Sequence, residues 1–239
     1  MKRLIQISIA SLLLTACGGD DPSFGPPAAP TEAEQMAIQA TEAGLIDISA
    51  VDVNGPDAGI AAIGLATTAT LIFDPASGAS SGPGLLTRGD PRMPSAMAML
   101  QRALLADCPA MNANSIVWDQ CTQDGLTIDG SISWSTGHVD VDLHIFGSAS
   151  GFTIEYTMNT SMTVTASAIQ GDMTIKVSAS GGGMQASETV HSEIDVQVAD
   201  ACITGGTLTM IASGSGTGAV NGAVQIVWSG CHVAQIRKG

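Results

Sequence analysis

From Ser115 to the C-terminus the chain alternates apolar and polar residues with a period of two. Leu126, Ile128, Ile132 and Trp134 interleave with Thr127, Asp129, Ser131 and Ser133. Val139, Val141, Leu143 and Ile145 interleave with His138, Asp140, Asp142 and His144. Phe152, Ile154, Tyr156 and Met158 interleave with Thr153, Glu155, Thr157 and Asn159. The runs Met162–Ala168, Met173–Ala179, Val190–Val198 and those around Leu208 and Ile226 behave alike. Successive side chains on a strand point to opposite faces, so each run predicts a strand with one apolar and one wetted face. Short Gly, Ser and Asp segments separate the runs, which favours hairpins and an antiparallel meander of about eight strands.

The pattern before Ser115 is different. Thr31-Glu32-Ala33-Glu34 matches a capping box, and Met36, Ala37, Ala40 and Ala43 follow at helical spacing, with Gly44 as the expected stop. Ile46, Ile48 and Ala50 then alternate as a strand would, and Asn54-Gly55-Pro56-Asp57 marks a turn. Residues 58–73 are small and apolar, and periodicity does not choose between helix and strand there. Residues 74–94 read as an exposed Gly, Ser and Pro loop. From Ser95, Met97, Leu100 and Leu104 predict a second amphipathic helix ending before Cys108-Pro109. The expected fold class is therefore α+β, with N-terminal helices packed on the apolar face of the meander. A closed or half-open up-and-down β-barrel is the alternative.

The first residues read as a processing segment. Lys2 and Arg3 precede an apolar run from Leu4 to Leu14, which is shorter than the ~20 residues a membrane span requires. Leu14-Thr15-Ala16-Cys17 resembles the lipobox of bacterial lipoproteins. The resemblance implies cleavage before Cys17, diacylation of its thiol and acylation of the new amino terminus. Gly18 follows Cys17 in place of the aspartate that favours inner-membrane retention in similar enterobacterial proteins, so an outer-membrane location is expected. The domain organisation is then a signal peptide (1–16), a flexible tether (17–30) and one domain (31–239). That domain has a mainly helical part (31–107) and a β-sheet part (108–239).

Composition narrows the chemistry. Hydrophobic residues make up 45% of the chain but aromatics only 3%, so the core is aliphatic. Loss of Lys2 and Arg3 moves the formal charge from −14 to −16. Such a chain has no electrostatic hold on phosphate backbones, which excludes nucleic acid as a partner. Of the five cysteines, Cys108, Cys121, Cys202 and Cys231 remain beside Cys17. An even number in an exported chain predicts two disulfides, and Cys108–Cys121 with Cys202–Cys231 closes the shortest loops. A structural zinc site is disfavoured because no C-x₂-C spacing occurs. Ile116–Cys121 and Ile226–Cys231 share four of six residues. This repeat is similar to cysteine-bracketed β segments of uncharacterised bacterial lipoproteins, and implies no activity.

The sharpest candidate for chemistry is His138-x-Asp140-x-Asp142-x-His144. On a strand these side chains share a face at ~6.6 Å steps, so adjacent pairs can reach one metal ion but all four cannot. A third ligand would have to come from a neighbouring strand, such as Glu155 or Asp129. The expectation is a wetted face without a metal, and no cofactor. Gly78-Ala79-Ser80-Ser81-Gly82 matches a nucleophile elbow in letters only, because Pro83 and Gly84 follow where a helix is needed. Arg88-Gly89-Asp90 is a three-residue match of the kind chance supplies. Gly214-Ser215-Gly216-Thr217-Gly218 reads as a hairpin loop. With one Tyr, three Trp and four Phe, the chain cannot build the aromatic girdles of a transmembrane barrel. The sequence therefore predicts a lipid-anchored envelope protein with a binding or scaffolding role and no catalysis. Its expected partners are the membrane, through the anchor, and another envelope protein. The alternative role is a carrier of a lipid or other apolar ligand, by architectural analogy with periplasmic lipoprotein-sorting proteins.

Overall fold

The alternating runs form a single antiparallel sheet in the computed structural model, which describes residues 22–50, 55, 57, 61–62, 108–123, 125–149, 151–216 and 220–239. Ten strands lie side by side in chain order. They are β1 (Ala110–Asn112), β2 (Ser115–Gln123), β3 (Leu126–Ser135), β4 (His138–Ala149) and β5 (Phe152–Val164). Then come β6 (Ala168–Gly181), β7 (Met184–Ala199), β8 (Cys202–Gly216), β9 (Gly222–Gly230) and β10 (Val233–Lys238). β1 and β10 do not pair with each other, so the sheet is an open meander rather than a closed barrel.

The expected faces hold along the central strands. On β5, every residue of Phe152, Ile154, Tyr156, Met158, Thr160, Met162 and Val164 is buried, while Thr153, Glu155, Asn159 and Thr163 are exposed. The register keeps the apolar rows aligned from strand to strand. Val139, Met162, Ile194, Leu208, Ile226 and Ile236 fall in one such row, interrupted only by Gly171 on β6. Two boundaries differ from the sequence pattern. The runs beginning at Phe152 and Met162 form one strand, because Asn159-Thr160-Ser161 stays in phase and does not turn. Gly214, Ser215 and Gly216 belong to β8, with Gly214 N–H donating to Asn221 Oδ1 at 2.9 Å, rather than to a loop.

The helix α1 (Glu32–Ala50) begins at the expected capping box. Thr31 N–H donates to Glu34 Oε2 at 2.7 Å, and Glu34 N–H donates back to Thr31 Oγ1 at 3.4 Å. Gly44 does not end it, and the alternation of Ile46, Ile48 and Ala50 is not a strand. The buried face is Glu34, Ala37, Ile38, Thr41, Glu42, Leu45 and Ile48, whereas Met36 is exposed. The spacing 38, 41, 45, 48 is a helical stripe, and burial of Leu45 and Ile48 outweighs the cost of a glycine inside the helix. Of residues 51–107 only Gly55, Asp57, Ala61 and Ala62 are described; the last three are helical, and Ala62 is buried. The helix expected from Ser95, residues 78–82 and Arg88-Gly89-Asp90 lie outside the described residues.

Ordered chain begins before α1. Gly25 N–H donates to Lys238 O, and Ala28 exchanges backbone hydrogen bonds with Ile236, so part of the expected tether continues the sheet beyond β10. Cys108–Cys121 and Cys202–Cys231 are the two disulfides, with Cα separations of 5.9 and 5.5 Å. The repeated segments fall on β2 and at the end of β9, the second strand from each edge, and place Trp118 and Trp228 in the core.

Ten strands span ~43 Å at ~4.8 Å spacing, while a helix is ~10 Å wide. Yet the apolar face is buried from Ile116 on β2 to Ile236 on β10. Gly130 and Gly206 lie on this face at φ of 123° and 105°. A Cβ there would sit 2.0 Å from Asp142 O and 2.1 Å from Asp195 O respectively. Glycine in a strand interior marks such close approaches and bends.

Candidate functional site

The wetted face arises from the same alternation that builds the core. On β4, Val139, Val141, Leu143 and Ile145 point inward, and His138, Asp140, Asp142 and His144 point outward. The four outward residues do not converge. His138 Nε2 lies 3.1 Å from Asp140 Oδ1 and 3.5 Å from Ser161 Oγ, and its Nδ1 lies 3.3 Å from Thr163 Oγ1. His144 Nε2 reaches across to β5, 3.0 Å from Glu155 Oε1, and its ring stacks on Phe146 at a centroid distance of 4.9 Å. Asp129 lies opposite His144 on β3, but its Oδ1 accepts the Gln120 N–H at 2.8 Å. The result is two separate imidazole–carboxylate pairs. A metal centre with an open catalytic position takes three protein ligands on one ion, and each pair supplies two.

Electrostatics distinguishes this face. Asp140, Ser161, Asp172 and Glu193 form one row across β4 to β7, with Asp172 and Glu193 directly opposite each other. Asp195 stands beside Glu193 on β7, holding Gln170 Nε2 at 2.9 Å. Asp129, Asp142 and Glu155 lie on the same face, and Lys176 is its single lysine from β3 to β7. Lys176 is four residues along β6 from Asp172, ~13 Å at the rise of a strand. Like charges directly opposite on a sheet are destabilising. The row therefore carries a negative field that folding alone does not explain.

The inner face departs from apolarity at a few points. Thr160, Met173, Ser192 and Met210 form one row across β5 to β8, and Tyr156, Val177 and Glu188 another. Thr160, Ser192 and Glu188 are all buried, and Thr160 Oγ1 and Ser192 Oγ have no hydrogen-bond partner among the described residues. Burial pushes the Tyr156 hydroxyl well above the ordinary phenol value. At one end of β6 to β8, Ser178, Ser180, Gln185, Ser187 and Ser215 line an open cleft of about 460 Å³. Ser187 and Ser215 share a hydrogen bond of 3.0 Å there, and none of the lining side chains is a base able to activate a serine.

No family model matches the chain, and neither a curated protein nor a solved structure matches it.

Of the residues the sequence singled out, His138 with Asp140 and His144 with Glu155 are brought together, whereas Asp142 stands apart. Sequence reasoning missed the opposition of Asp172 and Glu193. Both were visible as outward positions, but their juxtaposition depends on the register of β6 against β7, which no local pattern encodes.

Proposed function

We propose that the protein is a lipid-anchored envelope protein that acts by binding, with the acidic face of β4 to β7 docking a cationic segment of another envelope component. The observation that carries this reading is the in-register row Asp140, Asp172 and Glu193, whose mutual repulsion a positively charged partner would relieve. The anchor is Cys17, and outer-membrane placement follows from Gly18. With Gly25 and Ala28 bonded to β10, residues 18–24 are the length of chain between Cys17 and that edge. At ~3.3–3.6 Å per residue they hold the β10 edge within ~25 Å of the membrane surface. The rest of the sheet then projects away from the lipid with its acidic face accessible.

Two measurements test the two halves of the proposal. Cys17→Ser should move the protein from the membrane fraction to the soluble envelope extract; retention in the membrane refutes the anchor. A decalysine peptide should bind the purified protein in a salt-sensitive manner, because surface charges are screened beyond ~10 Å at 0.1 M salt. Replacing Asp172, Glu193 and Asp195 by their amides should abolish that binding. Equal binding by wild type and the triple variant refutes the docking face.

A second reading, a carrier of a lipid or other apolar ligand, draws on the buried hydroxyls of Thr160 and Ser192, which face the apolar interior without partners among the described residues. Native mass spectrometry distinguishes it. A co-purified lipid supports the carrier, and a bare protein mass with unchanged decalysine binding supports docking alone.

A further inference from the structure

The turn joining β9 to β10 and the first residue of β8 meet a buried carboxylate from α1. Cys202 opens β8, Cys231 and His232 form the turn, and Glu42 projects from α1 with its side chain 5% exposed. Glu42 Oε1 lies 3.2 Å from His232 Nδ1 and 4.0 Å from Cys202 Sγ. The ligating atoms of Cys202, Cys231 and His232 all lie within 4.8 Å of one another. Two sulfurs and one imidazole nitrogen thus converge, and a carboxylate oxygen from α1 reaches the imidazole and the Cys202 sulfur. His232 adopts φ of 58° in this turn, a left-handed conformation that costs a non-glycine residue free energy. A disulfide needs neither a carboxylate nor an imidazole beside it, and burying a carboxylate is costly unless it is paired.

We propose that Cys202, Cys231, His232 and Glu42 form a redox-gated site for a zinc-like divalent cation. While the disulfide is closed there is no thiolate and the site is shut. A dithiol opens it by two successive exchanges. Its two thiols become its own disulfide, and two electrons and two protons pass to the Cys202 and Cys231 sulfurs. Zn²⁺ then displaces both thiol protons, giving a centre with two thiolates, the Glu42 carboxylate and the neutral His232 imidazole. Tetrahedral zinc takes such mixed sulfur, nitrogen and oxygen sets at ~2.0–2.3 Å, so once the sulfur–sulfur bond is broken the two sulfurs part around the ion while the Glu42 and His232 atoms close on it. The metal then replaces the disulfide as the link between α1, β8 and the β9–β10 turn. The usual C-x₂-C spacing is absent because the ligands come from distant parts of the chain, Glu42 lying 160 residues before Cys202.

The test uses protein carrying Cys108→Ser and Cys121→Ser, so that only one cysteine pair responds. After reduction with a phosphine, which does not compete for metal as a thiol does, it should take up one Zn²⁺ per chain. Co²⁺ should give a thiolate-to-metal charge-transfer band with a tetrahedral visible spectrum. The oxidised protein should take up neither. Glu42→Gln and His232→Asn, the latter tolerant of the left-handed turn, should each weaken Zn²⁺ binding by at least ~10–100-fold, the range for losing even a supporting group of a metal site. Circular dichroism of each oxidised variant verifies its fold. If reduction loosens the fold, added Zn²⁺ should restore the near-ultraviolet signal. Absence of stoichiometric uptake by the reduced protein overturns the proposal, as does uptake indifferent to both substitutions.

Discussion

Placing a methyl group on Gly130 tests how closely the backbones of β3 and β4 approach. Gly130 occupies the apolar face of β3 between Trp118 on β2 and Leu143 on β4. A Cβ at this position would lie 2.0 Å from Asp142 O and 3.0 Å from Leu143 Cα, where real Cβ contacts stay beyond 3.0 Å. The β3 and β4 backbones must therefore separate by ~1 Å locally, an overpacking effect of ~1–3 kcal/mol. Alanine at φ of 123° adds strain of a further ~1–3 kcal/mol. Gly130→Ala should thus destabilise by ~2–6 kcal/mol, a large part of the ~5–15 kcal/mol that holds a typical domain. At ~2–4 °C per kcal/mol for a chain of this size, Tm should fall by ~4–24 °C. Urea unfolding followed by tryptophan emission reads this directly, because Trp118, Trp134 and Trp228 are each at most 5% exposed and report loss of the core. Gly230→Ala is the control, since a Cβ there meets nothing within 4 Å. If Gly130→Ala unfolds within ~0.5 kcal/mol of wild type, the close approach of β3 and β4 is wrong.

Three further outcomes follow from the packing and charge. Leu45→Ala should cost ~2–5 kcal/mol in the same urea assay, because Leu45 is fully buried, whereas Met36→Ala should change stability by less than ~0.5 kcal/mol; equal effects would contradict the buried face of α1. At Glu34, burial raises the carboxyl, but the hydrogen bonds from Lys238 and Thr31 and the Lys238 charge outweigh it and leave it below the ordinary value of 4.5. The ionised form is the one the fold favours, so its contribution is complete above the ordinary value and is lost as pH falls through the folded-state value. Glu34→Gln should accordingly lower stability at neutral pH and flatten the acid limb of a urea-midpoint profile, and parallel profiles would refute the role of the Lys238 contact. Asp172→Asn should raise stability by ~0.2–1 kcal/mol by removing the charge opposite Glu193. A loss of that size would mean that Asp172 makes a favourable contact instead.

What the sequence determined by itself is the local geometry. The period of two assigns nearly every strand from β2 to β9 and the inward or outward direction of its side chains, because neighbouring residues on an extended chain cannot share a face. The capping box located the start of α1 because Thr31 and Glu34 satisfy each other's free backbone groups without outside help. The disulfide pairs were legible because short loops between cysteines leave few alternatives, and the His138–Asp140 pair because it lies within one strand. What only the tertiary structure decided depends on partners remote in sequence. Leu45 and Ile48 carry α1 through Gly44 because both enter a core built largely by the later strands. Residues 25–28 are drawn from a tether into the sheet by the free edge of β10. The opposition of Asp172 and Glu193 follows from strand register, and the meeting of Glu42 with Cys202 and His232 from contacts between residues far apart in sequence. Hydrophobic alternation fixes which way a side chain points, but register and helix seating are set by the packing of whole faces, so local pattern cannot reveal which charges or ligands finally meet.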